Sequence, residues 1–265
     1  MSHHDAAVEA LAGGAVVAFT GAGISQESRI PTFRDPGGMW DRFDPEVFGT
    51  WSGLVQEAMR RPDSLADFLV EVRRAFADAH PNPAHLALAD LERAGIVRGV
   101  VTQNVDGLHT EAGSVNVVEL HGTFLRELCI MRGHRRRVSR PELVAGLDRV
   151  ITGLRTAFIP SLESVLPRCA ECGGPARPDF VAFGEDVQDF DRAERLALGC
   201  RVVLVVGTHG EVEPAASIPR TARAAGATVI QVGPTDTTVE SDVHLRGSAG
   251  RVLAELAGDV LARAR

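Results

Sequence analysis

Several short stretches of this 265-residue chain carry residue types whose spacing suits chemistry. From Ala15 to Asp35 the sequence reads A-V-V-A-F-T-G-A-G-I-S-Q-E-S-R-I-P-T-F-R-D, an apolar run leading straight into a Gly-rich turn. Gly21 and Gly23 lack a Cβ and can adopt positive φ, so backbone N–H groups there can close on a pyrophosphate, with the Ser25 hydroxyl and the Arg34 cation nearby. The third Gly of the dinucleotide fingerprint is missing, so a strand-to-helix turn with no ligand is the alternative for this stretch alone. From Thr102 to His109 the sequence T-Q-N-V-D-G-L-H follows a second apolar run, and V-E-L-H-G places His121 after a third. Imidazole titrates near neutrality and suits a general base; a turn and a structural His are the alternatives when each is taken singly. Cys169 and Cys172 form C-A-E-C, with Cys129 upstream. In a reducing compartment, metal ligation or burial suits these thiols better than disulfides.

The elements that must position these groups alternate. Short Val- and Ile-rich runs at Ala15–Thr20, Ile96–Thr102, Val115–Leu120, Arg201–Gly207, Ala227–Val232 and Asp242–Leu245 are separated by helical patterns. That predicts an α/β fold, a parallel sheet with helices on both faces, and carboxyl strand ends that gather Gln103, Asn104, Asp106 and His121. Helices are predicted over about Ser64–Ala79, with Leu65, Phe68, Leu69, Val72 and Phe76 on one face, and over Ser248–Ala262. The regions Pro36–His80 and Phe124–Pro178 interrupt the alternation and together read as a smaller domain. The expected division is therefore 1–35, 81–123 and 179–265 for the larger domain, and 36–80 and 124–178 for the smaller.

Composition narrows the class. The length allows one substantial core with a small module inserted, and the net charge of -7 disfavours general nucleic-acid binding. No Lys or Tyr occurs, so every basic side chain other than His is Arg. Asp5 and Glu9 stand where a secretory signal carries positive charge, and the apolar run around Leu11–Phe19 is too short to span a bilayer. The expectation is a cytoplasmic protein with no membrane association.

The phosphate turn, F-R-D, Q-N-V-D, the H-G pair, C-x-x-C, F-G-E and G-T-H-G-E-V-E-P-A occur in one order from about Val16 to Leu256. That ordered set resembles the sirtuins, NAD-dependent protein lysine deacylases. The resemblance implies a Rossmann-type NAD domain with an inserted smaller domain, part zinc-ribbon-like and part helical, and acylated-lysine proteins or peptides as substrates. It further implies NAD contacts at Gly21, Ala22, Gly23, Ser25, Thr32, Phe33, Arg34, Trp40, Gln103, Asn104, Asp106, Gly207, Thr208, His209, Gly233 and Ala249, with Phe33 shielding the reacting C1′ carbon. Catalysis falls on Asn104, Asp106 and His121, the last as base. By that likeness the acyl-lysine carbonyl oxygen attacks C1′, nicotinamide departs, and the acyl group ends on ADP-ribose. In R-P-D-F-V-A-F-G-E, Val181, Phe183, Gly184 and Glu185 match the loop that pairs with substrate backbone as an added strand, so side-chain selectivity would be loose.

The sequence departs from the family in places. Family members carry two C-x-x-C pairs for a tetrahedral zinc, whereas the first pair here is C-I-M-R, with Arg132 in place of the second thiolate. Cys129, Cys169 and Cys172 remain as ligands, and His134 is the nearest candidate for a fourth. A helix-like stretch at Glu142–Arg155 offers packing as a substitute for lost metal stabilisation, and the Arg run from Arg132 to Arg140 reads as a solvated loop. His209 stands where Ser is common and Gly233 where an Asn often touches the adenosine ribose. Deacylases preferring acidic acyl groups carry a Tyr-x-x-Arg pair; with no Tyr, only Arg73 or Arg74 is left to reach an acyl carboxylate. The expectation is a deacetylase. A mono-ADP-ribosyltransferase on the same fold and a non-catalytic NAD-sensing protein are the alternatives.

Overall fold

The computed structural model describes residues 2–32, 37–156 and 166–263. Among them the strands are β1 (Val16–Thr20), β2 (Val97–Thr102), β3 (Val117–Glu119), β4 (Gly122–Cys129), β5 (Arg135–Arg137), β6 (Ala176–Phe180), β7 (Val202–Val206), β8 (Thr228–Val232) and β9 (Val243–Leu245). Two compact units are present: Met1–Ile30, His80–His121 and Val187–Arg265 form one, and Pro31–Ala79 with Gly122–Asp186 the other.

In the first unit the sheet order is β3-β2-β1-β7-β8-β9, and every neighbouring pair is parallel. Counted within this sheet alone, that is the doubly wound order in which ligands collect where the winding reverses, here between β1 and β7. The central strands β1 and β7 are buried along their whole length, as parallel strands covered on both faces must be. Alternation sends Val16 and Ala18 to a core shared with the helices His3–Ala12, Pro83–Arg93 and Ala249–Arg263. Val17 and Phe19 face the other way, towards the helices Phe190–Leu198 and Ser217–Ala224. All six predicted strands are present. The third starts later than its apolar run because the Glu92 carboxylate takes the N–H groups of Val115 and Asn116, at 3.0 and 2.7 Å.

The second unit joins an antiparallel sheet, β5-β4-β6, to a helical part. The helix Pro62–Ala77 starts with Pro in its first turn and buries Leu65, Phe68, Val72 and Phe76. It packs on the helix Arg140–Thr156, which buries Leu143, Leu147, Val150, Ile151 and Leu154, and the pairs Arg73–Asp148 and Arg155–Asp67 join the two. The Arg run predicted as a solvated loop is instead partly a strand. Arg135–Arg137 pairs with β4 because acidic side chains neutralise it: Arg135 reaches the buried Asp179 at 2.9 Å, and Arg136 reaches Glu127 and Glu142.

Candidate active site and metal centre

The Gly-rich turn after β1 is built around its neighbour, the loop after β7. The N–H of Gly21 donates to Val206 O at 3.0 Å, and that of Gly23 to Gly207 O at 2.8 Å. A Cβ on Gly21 would lie 2.7 Å from the Thr208 Cβ, and one on Gly23 would lie 2.7 Å from the Gly207 Cα. Gly207 itself has φ +62°, and a Cβ there would collide with Ile24 N. Neither glycine uses the positive φ that the sequence allowed: Gly21 has φ -132°, Gly23 is not at positive φ, and both N–H groups bond across to the loop after β7. The chain then enters a 3₁₀ helix, Ala22–Ser28, not an α-helix.

Beneath this turn lies a buried polar network that brings Ser25, Asn104 and Asp106 together. Ser25 Oγ–H donates to Asp106 Oδ2 at 2.7 Å, and the other carboxylate oxygen accepts from Leu108 N–H. Asn104 Nδ2 donates to Gly21 O and to Ser25 Oγ, both at 3.1 Å. Two residues that sequence reasoning missed complete the network. Asn82 caps the helix Pro83–Arg93 and ties it to the turn through Nδ2, which donates to Ile24 O at 2.7 Å. His85 accepts the Asn82 N–H at Nδ1, so its proton sits on Nε2 and points to Ser25 Oγ at 3.4 Å. Burial holds the His85 pKa down at about 4, so the ring is neutral. The sequence signal for this pair was Asn-Pro-x-His, a capping box at the start of an apolar helical pattern.

His121 follows β3. Its Nδ1–H donates to the Gln103 carbonyl at 2.9 Å, which fixes the ring and leaves Nε2 as the acceptor nitrogen. Burial lowers its pKa, partly offset by the bond to Gln103, so the neutral base form prevails at neutral pH. Gln103 Nε2 donates to Thr208 Oγ1 at 2.9 Å, joining the loops after β2 and β7.

The metal-ligating residues converge in the second unit. One donor atom from each of Cys129, His134, Cys169 and Cys172 lies within 4.8 Å of all the others. Cys129 Sγ and Cys172 Sγ are 3.5 Å apart, as are Cys169 Sγ and His134 Nδ1. A tetrahedron with Zn–S bonds of about 2.3 Å needs donors about 3.8 Å apart, so this set fits zinc. Two matching turns produce it. Gly133 N–H donates to Cys129 O and Cys129 N–H to His134 O, while Gly173 N–H donates to Cys169 O and Cys169 N–H to Gly174 O. Gly133 and Gly173 both have φ +70°. His134 therefore enters from the sixth position of its turn, and Arg132, at the position matching Cys172, stays exposed. Bonds from His134 and from the N–H groups of Cys172 and Glu171 hold the Cys169 thiol down at about 6, as suits a thiolate ligand.

The remaining predicted residues are dispersed. Phe33 and Arg34 lie outside the described residues. In the first unit, Gly233 O accepts from His244 Nε2 at 3.0 Å, and His209 is exposed, its carbonyl held by Thr238. Ala249 begins its helix, where Glu27 already occupies the neighbouring Gly250 N–H. In the second unit, Thr32 O accepts from Met39 N–H, and the Trp40 ring lies 6.2 Å from that of the exposed Phe183. Phe183 N–H donates to Gly49 O at 2.8 Å. Glu185 is engaged within its own unit: Oε2 accepts from Trp51 Nε1 and Ala182 N–H, and Oε1 from Arg177. The loop holding Val181, Phe183 and Gly184 is thus pinned at its end. Arg73 and Arg74 are paired with Asp148 and Glu71, which removes support for an acyl-carboxylate role.

With this geometry in place, comparison with known proteins is direct. A family model described as the Sir2 family matches residues 21–214. The NAD-dependent protein deacylase of Desulfosudis oleivorans is 41% identical over 260 residues, 97% of this chain and 95% of that one. The crystal structure of a Sir2 homologue–NAD complex superposes with a TM-score of 0.79 at 34% identity, covering 98% of this chain and 95% of that one. A Sir2 variant with a deacetylated p53 peptide and 3′-O-acetyl-ADP-ribose superposes at 0.76 with 27% identity, covering 99% and 98%. On the family match and the near-complete coverage at that identity, the chain belongs to the Sir2 family, the sirtuins.

Proposed function

We propose that this protein is an NAD-dependent protein lysine deacylase, in the first instance a deacetylase, acting on acylated-lysine proteins. The observation that carries the reading is the fixed, neutral imidazole of His121, whose Nε2 lone pair is set by the bond from Nδ1–H to Gln103 O. When bound, NAD supplies a labile bond between its nicotinamide and C1′ and an ADP-ribosyl group that accepts the acyl chain. With NAD bound, His121 Nε2 would be the acceptor for the proton of the ribose hydroxyl that receives the acyl group. Asn104 and Asp106 hold the nicotinamide end; the Asp106 carboxylate is oriented by Ser25 and Leu108 N–H, so its charge stands ready without reorganisation. The loop from Val181 to Glu185, pinned through Glu185, takes the peptide backbone. Zinc on Cys129, His134, Cys169 and Cys172 is structural: four protein donors close the site.

Among the described residues no helix is long and apolar enough to cross a membrane, and thiolate ligation fits work in the reducing cytoplasm. The test is incubation with NAD and an acetyl-lysine peptide, read by mass spectrometry. O-acetyl-ADP-ribose, nicotinamide and free-lysine peptide support the reading. ADP-ribosylated protein, or no product, overturns it. The chain contains no Lys, so every acyl-lysine signal belongs to the peptide.

A further inference from the structure

His109 is fully buried beneath the strand ends and lies outside the chemistry assigned above. Its Nε2 is 2.9 Å from Thr20 Oγ1, and Thr20 O–H donates to Thr102 Oγ1 at 2.8 Å. Because the Thr20 proton is committed to Thr102, the proton between His109 and Thr20 belongs to Nε2. Thr102 Oγ1 in turn accepts the backbone N–H of Asn104 at 3.0 Å. The chain of bonds from imidazole to Asn104 is continuous, directional and buried.

Among the described residues no group reaches His109 Nδ1, so the site retains an imidazole at the cost of a buried, unpaired acceptor. An apolar side chain would remove that cost, and it would also remove the donor that orients Thr20. We infer that His109 is a positioning residue, holding Asn104 for the departing nicotinamide through the hydroxyls of Thr20 and Thr102. Burial beside His85, whose ring lies 4.9 Å away, keeps it neutral, with one N–H to give. The inference rests on the deacylase reading for its consequence and on geometry for its cause.

His109→Leu removes the donor, and His109→Gln restores one at the Nε2 position. Displacing a group that acts in the transition state costs on the order of 10- to 100-fold in kcat, with the NAD KM changed far less. His109→Leu should show that loss and His109→Gln should recover most of it. In an Asn104→Ala background His109→Leu should cost no more than about threefold, because both changes act through one residue. The Asn104 amide should exchange faster with solvent deuterium in His109→Leu and not in His109→Gln. If His109→Leu does not fold, Thr20→Val, which removes the same relay with an isosteric side chain, carries the prediction. An active wild type with unaltered kcat in the Leu variant overturns the inference. So does unaltered Asn104 exchange, which is read even if the wild type proves inactive and the deacylase reading fails.

Discussion

Acidification from about pH 7.5 to about pH 5 should destabilise the fold through its two buried histidines. His85 has its pKa lowered by burial from 6.5 to about 4, and His109 is pushed well below the ordinary value by burial and by His85. In the unfolded chain both titrate near 6.5, so between the two values the unfolded state binds more protons than the folded one. Stability is fully present above about pH 6.5 and is lost as pH falls towards 4. At pH 5 the unfolded imidazole is protonated by about thirty to one while His85 in the fold is nearly neutral, which is worth about 2 kcal/mol. His109, pushed in the same direction, adds to that loss, and the His85 contribution alone is a sizeable share of the about 5–15 kcal/mol typical of a domain. Urea unfolding followed by the fluorescence of Trp40 and Trp51 measures it. His85→Gln should shrink the difference between the two pH values by about 2 kcal/mol, and His109→Gln should shrink it in the same direction. Comparing variants cancels the other titrating groups, the metal centre included. Equal stability at both pH values, or variants that lose as much as wild type, would refute the assignment of neutral buried rings.

Other outcomes are as definite. Gly23→Ala puts a Cβ 2.7 Å from the Gly207 Cα, backbone that cannot swing aside; it should cost about 1–3 kcal/mol of stability and weaken NAD binding by calorimetry. Wild-type binding in that variant would show the two loops are not in contact. Purified protein should hold one zinc by elemental analysis; after a chelator challenge His134→Ala should lose it while His134→Cys keeps it. Retention by His134→Ala would point to another fourth ligand.

Parts of this molecule were readable from sequence for physical reasons. Val202–Val206 reads as a buried parallel strand because nothing polar interrupts it, and Cys169 and Cys172 announce a metal site by their spacing. What stayed hidden depended on partners far away in the chain. The role of Gly21 and Gly23 follows from the sheet order, which sets β7 and its loop beside β1. His134, already the nearest candidate in the sequence for the fourth donor, is brought in by the turn at Gly133. His85 and His109 lie 60 and 89 residues from the Ser25 and Thr20 hydroxyls they meet, and Asp179, which pairs with the exposed Arg135, lies 44 residues beyond it.

His121 carries the proposed chemistry most directly. Replacing it by Ala should leave NAD binding by calorimetry within a few-fold of wild type, while formation of O-acetyl-ADP-ribose from NAD and an acetyl-lysine peptide falls by about 10² to 10⁴. Turnover by His121→Ala close to the wild-type rate would contradict the assignment of that imidazole as the base.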